Sequence, residues 1–261
     1  MHINLLLTLV LAQASIIWAA SLTAYLTGSN FSAEIIAATQ NPFLDRAALG
    51  SLPVDELSAW MAQDRLYGFS YIHFMGAMLD KLQIPTTVSI NSSTQGQYAE
   101  VLTGAIPNVR REILLFEDTA IKEGWQDILS VKPSIPTVAY ANLFDGAGSP
   151  HRSMLVSAVT LFATEWCYYT AWSRAATMVP KGKPQTIMQS TFIPNWSNAE
   201  YKEFVDELGG YVEWFARGCT PGSQDWIEAE IAWRQVLWAE AEFWPDSSMN
   251  SGACNNVTFR A

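Results

Sequence analysis

Histidine and cysteine are scarce, three of each in 261 residues. His2, His73 and His151 fall in no H-x-x-x-H or E-x-x-H spacing, which excludes the carboxylate and histidine set of a helical di-iron centre. No sequence pattern pairs one of them with a serine or cysteine nucleophile. Cys167, Cys219 and Cys254 are widely spaced and lack a C-x-x-C pair, which argues against a zinc site or a disulfide framework. No metal or other cofactor is expected. Basic residues are few as well: 15 Lys and Arg stand against 25 Asp and Glu, a formal net charge of -10. With no Lys/Arg cluster to follow a phosphate backbone, nucleic acid is excluded as a partner. Strand-like alternation, internal repeats and a compositional break between domains are also missing.

What the chain has is apolar mass. It is 49% hydrophobic, 15% charged and carries 11 Trp, 9 Tyr and 12 Phe, enough for a large aromatic core and incompatible with disorder. The reading is a single all-α domain over residues 21–261 behind an apolar segment, residues 1–20. That segment has two readings: a secretory signal, with Ala12-Gln13-Ala14 as a cleavage-like site but no preceding Lys or Arg, or a buried N-terminal piece of a cytoplasmic protein. The periodicity predicts a short helix between Asn41 and Pro53, a long one from Val54 to about Lys81, and a second from Gln97 to Trp125 broken near Pro107. A helix through Tyr140, a buried one from Arg152 to Met178, a loop from Lys181 to Asn195, and helices Asn198 to Phe215 and Asp225 to Trp244 follow. A capping box of Ser197 and Glu200 is expected to start the penultimate helix. The charges of both signs on the Gln97 to Trp125 helix read as a solvated face.

Against this apolar background three carboxylates stand on core faces, where an unpaired charge costs several kcal/mol or more. Asp64 lies in the stripe Trp60-Met61-Asp64-Tyr67-Tyr71. Glu240 lies in Trp226-Glu230-Trp233-Leu237-Glu240-Trp244 with Phe243 beside it, a setting that raises a carboxyl pKa and suits a general acid or base. Glu165 is alone in the apolar run LVSAVTLFATEWCYYTAW, either facing an internal cavity or neutralising a base from another helix. Structural alternatives stand beside each: a hydrogen bond from a buried Tyr or Trp for Asp64, and a salt bridge to Arg234 for Glu240.

The run NPFLDRAALGSLPVDELSAWMAQDRLYGFSYIHFMGAML, with VAYANLF, the Tyr168-Tyr169 pair, FIPNWSNAEYKEFVDEL and the terminal EAEFW, resembles the TenA/thiaminase II family from about Ser21 to Asp246. The resemblance implies a heme-oxygenase-like helical bundle without haem, and commonly a homo-oligomer, dimeric or tetrameric. It implies hydrolytic C–N cleavage of an aminopyrimidine or similar small N-heterocycle, as in thiamin salvage. By the same resemblance Asp64 holds the pyrimidine edge, Tyr67, Tyr140, Tyr168, Trp196 and Phe243 surround the ligand, and Glu240 is the catalytic acid. Two positions depart from the family. Its nucleophilic cysteine falls on Thr164, a poor nucleophile without an adjacent base, and its W-I-x-x-Y tyrosine becomes Trp196. Three replacements for the cysteine stay open: Thr164 itself, the Cys167 thiol, or water activated by Glu165. The alternative function is a divergent relative that binds or transforms another small metabolite without a cysteine nucleophile.

Overall fold

The computed structural model describes residues 21–182 and 185–245, so the apolar N-terminal segment and Cys254 lie outside the described residues. The described chain is helical, with no strand among those residues. It runs α1 (Leu22–Leu26), α2 (Ser32–Thr39), α3 (Pro42–Leu49), α4 (Val54–Lys81), α5 (Thr94–Glu123), α6 (Ile135–Gly148), α7 (Met154–Met178), α8 (Ile193–Trp196), α9 (Ala199–Phe215) and α10 (Gln224–Phe243). No helix of the described residues is long and apolar enough to cross a membrane.

Local chemistry sets most of the boundaries. Asn41, Ser93, Ser134, Ser153 and Ser223 each accept a backbone N–H from the first turn of the helix they precede, satisfying donors that have no partner inside the helix. Gly50 ends α3 with φ 73°, a left-handed conformation that glycine adopts without a Cβ penalty.

Three sequence expectations need correction. The helix of Gln97 to Trp125 does not break at Pro107; α5 runs through it. Proline removes one i to i−4 bond there, and the carbonyl it frees belongs to Thr103, an exposed residue like Pro107 itself, where water can take its place. The expected capping box on Ser197 is displaced by one residue: Asn198 Oδ1 accepts from Tyr201 N at 2.8 Å, while Ser197 Oγ donates to Ile193 O at 2.7 Å and closes α8. Part of the expected Lys181 to Asn195 loop is a π-turn, Met188–Phe192, running into α8.

Helix α7 is the axis of the packing. It is buried from Leu155 to Glu165 and touches α2, α3, α4, α6, α8, α9 and α10, as its apolar circumference requires. Two apolar bodies form around it. The larger joins the inner faces of α4, α5, α6, α7, α9 and α10. The second is aromatic, built from Phe43, Trp60, Phe116, Trp172, Phe192, Trp196 and Trp244. Ring centroids there are 5.7 Å apart for Trp60 and Trp172, 5.3 Å for Trp172 and Trp196, and 5.8 Å for Trp172 and Trp244. Trp244 Nε1 donates to Ala38 O at 2.7 Å, tying the end of α10 to α2. The helices α4 and α5 approach closely at Gly68, where a Cβ would fall 2.9 Å from Ile113 Cγ1.

Candidate active site

Between α4, α5, α7, α8 and α9 lies a cavity of about 460 Å³ whose walls include Asp64, Tyr67, Tyr71, Thr164, Glu165, Tyr168 and Trp196. Each arrives there by helical register. Asp64, Tyr67 and Tyr71 are successive positions of one stripe of α4; Thr164, Glu165 and Tyr168 belong to neighbouring positions of α7; Trp196 closes the short α8.

The three sequence-selected carboxylates are buried, and each is held by tyrosine hydroxyls rather than by bases. Tyr168 donates to Asp64 Oδ2 at 2.8 Å. Glu165 accepts from Tyr71 on one oxygen and from Tyr201 on the other. Tyr140 donates to Glu240 Oε1 at 2.6 Å and lies 3.1 Å from Thr164 Oγ1, which donates to Thr160 O at 3.0 Å. Burial disfavours the charged form of each carboxyl. It pushes Asp64 and Glu165 to about 7 and Glu240 to about 8, while the tyrosine hydroxyls pull the other way. Among the described residues no base neutralises Glu240: Arg234 pairs instead with Glu34 and Glu230 on the outer side of α10.

Glu240, Tyr140 and Phe243 are not on the cavity wall. Tyr140 and Glu240 lie one layer behind it and reach it through Thr164, and Phe243 packs against Tyr67 and Tyr140 at centroid distances of 5.7 and 6.0 Å. Cys167 is fully buried, absent from the wall, and its thiol is pushed well above its usual range by that burial, which denies it thiolate character.

The proton count in the Glu240 layer gives it a direction. A hydroxyl proton rotates to suit its partners. With Glu240 ionised, Tyr140 donates to it and Thr164 donates to Thr160 O, so the contact between Tyr140 and Thr164 has no proton. With Glu240 protonated, the carboxyl donates to Tyr140, Tyr140 to Thr164, and Thr164 to Thr160 O, and every contact is satisfied. The hydrogen-bond chain therefore links Glu240 through Tyr140 to the Thr164 hydroxyl on the cavity wall and ends on Thr160 O.

Sequence reasoning missed Glu112. It sits on α5 among charges of both signs, yet it lines the cavity, and its Oε1 accepts from Asn195 Nδ2 at 3.0 Å and Trp196 Nε1 at 2.9 Å. Its position three after Val109 and four before Phe116, both buried, was the available signal. Tyr71 and Tyr201, the partners of Glu165, were also unassigned; they come from different helices and no single-helix pattern joins them. Among the described residues no group of His, Cys, Asp and Glu is arranged to hold a metal ion.

Similar proteins place this architecture. At 25% identity over 246 residues the chain is similar to a probable transcription factor of Fusarium pseudograminearum, covering 81% of this chain and 49% of that one, so it spans about half that relative's length. At 24% identity over 218 residues it is similar to a probable bifunctional TENA-E protein of Glycine max, covering 82% and 87%. Among solved structures, a TenA homologue from Pyrococcus furiosus shares the fold with TM-score 0.73 and 19% identity over 85% of this chain and 98% of that one. A TenA family transcription regulator from Silicibacter matches at TM-score 0.70 and 14% identity, over 85% and 94%. The model of the TENA/THI-4/PQQC family matches residues 32–251, most of the chain, and the chain belongs to that family.

Proposed function

We propose that this protein hydrolyses a C–N bond of an aminopyrimidine or similar small N-heterocycle, in the manner of thiamin salvage, using water in place of a cysteine nucleophile. The observation that carries this is the meeting of two differently supported carboxyls at one aromatic cavity: Glu165 on the wall and Glu240 behind Thr164. Pairs of titratable groups in distinct environments are how one site divides acid and base work.

The roles follow from geometry. Asp64, near 7 and fixed by Tyr168, can donate to a ring nitrogen or accept from an exocyclic amine, the pattern an aminopyrimidine edge presents. Tyr67, Tyr168 and Trp196 supply flat apolar walls. Glu165 takes a proton from water, whose oxygen bonds to carbon as the C–N bond breaks and its electron pair stays on nitrogen. The leaving nitrogen is protonated from Thr164, which is reprotonated by Tyr140 and in turn by Glu240. Thr164 is then a proton carrier, consistent with its lack of any adjacent base to make it a nucleophile.

A second reading, binding without hydrolysis, is favoured by one observation: the Thr164 hydroxyl is already committed to Thr160 O. Incubating the purified protein with thiamin and with 4-amino-5-aminomethyl-2-methylpyrimidine separates the two. Turnover that Glu240→Gln abolishes supports the hydrolase; binding without turnover supports the second reading. A homo-oligomer belongs to the proposal, with the exposed Ile231 and Trp238 of α10 and Val138 of α6 as the apolar surface it would cover. Light scattering of the purified protein measures it.

A further inference from the structure

We infer that Glu112 is a specificity-determining residue of the cavity, placing a carboxylate against the positively charged nitrogen of its ligand, so that protonated amines and azolium rings are preferred over neutral isosteres. This rests on the hydrolase reading and names its substrate class by charge.

Two structural observations carry it. The first is the use Glu112 makes of its oxygens. Oε1 takes both N–H groups, from Asn195 and Trp196, while Oε2 accepts no hydrogen bond from the described residues although Glu112 lines the cavity. An acceptor meant only to hold α8 would be satisfied by a neutral amide, whose carbonyl oxygen offers the same two lone pairs. The second is the company Glu112 keeps. The same wall carries Asp64, Glu165, Glu200, Glu203 and Glu207, and among the described residues Arg111 is its single basic residue. Burial raises Asp64 and Glu165 to about 7; it raises Glu112 as well, while the N–H groups of Trp196 and Asn195 and the Arg111 charge pull Glu112 back toward its ionised form. A cavity so lined attracts a cation and repels a phosphate ester of the same heterocycle.

The test uses the full chain in a Glu240→Gln background, which holds turnover off, and two calorimetric probes. One is 4-amino-5-aminomethyl-2-methylpyrimidine, an ammonium at pH 7. The other is its neutral 5-hydroxymethyl counterpart. Glu112→Gln keeps an acceptor for Trp196 and removes the charge. It is expected to weaken the amine about tenfold and the alcohol less than about twofold, the size of one charge-assisted contact. Trp196→Phe, which removes the N–H and keeps the carboxylate, is expected to leave the preference for the amine in place. Equal weakening of both probes by Glu112→Gln would make Glu112 a brace for α8 and overturn the inference, as would no change in either. A parent protein that binds neither probe overturns the hydrolase reading itself, and the inference with it.

Discussion

Thr164 is the residue on which the proposed chemistry turns, and the structure gives it a testable duty. Thr164→Val keeps its shape and removes the hydroxyl that joins Tyr140 to the cavity. Steady-state kinetics are expected to show kcat down by about 10²-fold, the usual scale of a lost proton-transfer step, with KM little changed. Tyr140→Phe should cost a similar factor, and the double variant little more, since both interrupt one chain. Full activity in Thr164→Val would remove the relay. The pH profile follows from the same groups. Activity rises as Glu165 ionises through about 7 and falls as Glu240 loses its proton through about 8, so kcat/KM is expected to be bell-shaped with its maximum between those values. The two limbs belong to the coupled set rather than to either residue alone. Asp64, Glu165 and Glu240 were legible in the sequence because a carboxylate on an apolar helical face has no inexpensive explanation. Glu112 was not, because its neighbours Arg110, Arg111, Glu117 and Asp118 disguise one inward-facing acid as part of a solvated face.

At the scale of elements, long helices were readable and their interruptions were not. The stripe of α4 gives both its length and the inward direction of Asp64, and the uninterrupted apolar character of α7 gives its central position. Pro107 misled because a proline breaks a helix only when the freed carbonyl cannot be solvated or the ring cannot be accommodated, and on the outer side of α5 it can be. Pro107→Ala should therefore restore a backbone bond without disturbing packing. The expected effect is stabilisation on the order of 1–3 kcal/mol, read as an increased midpoint in urea at unchanged slope. A lower midpoint would show that α5 depends on its proline. The π-turn and α8 escaped the sequence reading because Pro184 and Pro194 look like loop residues, whereas the segment is ordered from outside, by Gln189 Nε2 donating to Ala48 O at 2.7 Å and by Glu112 holding Trp196. Such long-range anchors have no local signature.

The whole molecule carries the cost of its buried acids. Asp64, Glu165 and Glu240 bind protons more readily folded than unfolded. Their contribution to stability is complete below the unfolded carboxylate range near pH 4 and is lost as pH rises through about 7 and 8. Melting temperature without ligand is therefore expected to fall between pH 6 and pH 8, by about 5 °C for a loss on the order of 2 kcal/mol in a chain of this length. The pair Asp64→Asn with Glu165→Gln should flatten that slope; an unchanged slope would place the titration elsewhere. The aromatic body beside the cavity has an optical consequence. Indoles as close as Trp60, Trp172, Trp196 and Trp244 share their electronic excitations, so their near-ultraviolet circular dichroism is a property of the cluster. Because Trp196 is at once a member of that cluster and a wall of the cavity, ligand binding should change the circular dichroism of all four tryptophans at the long-wavelength edge of indole absorption, beyond where an aminopyrimidine itself absorbs.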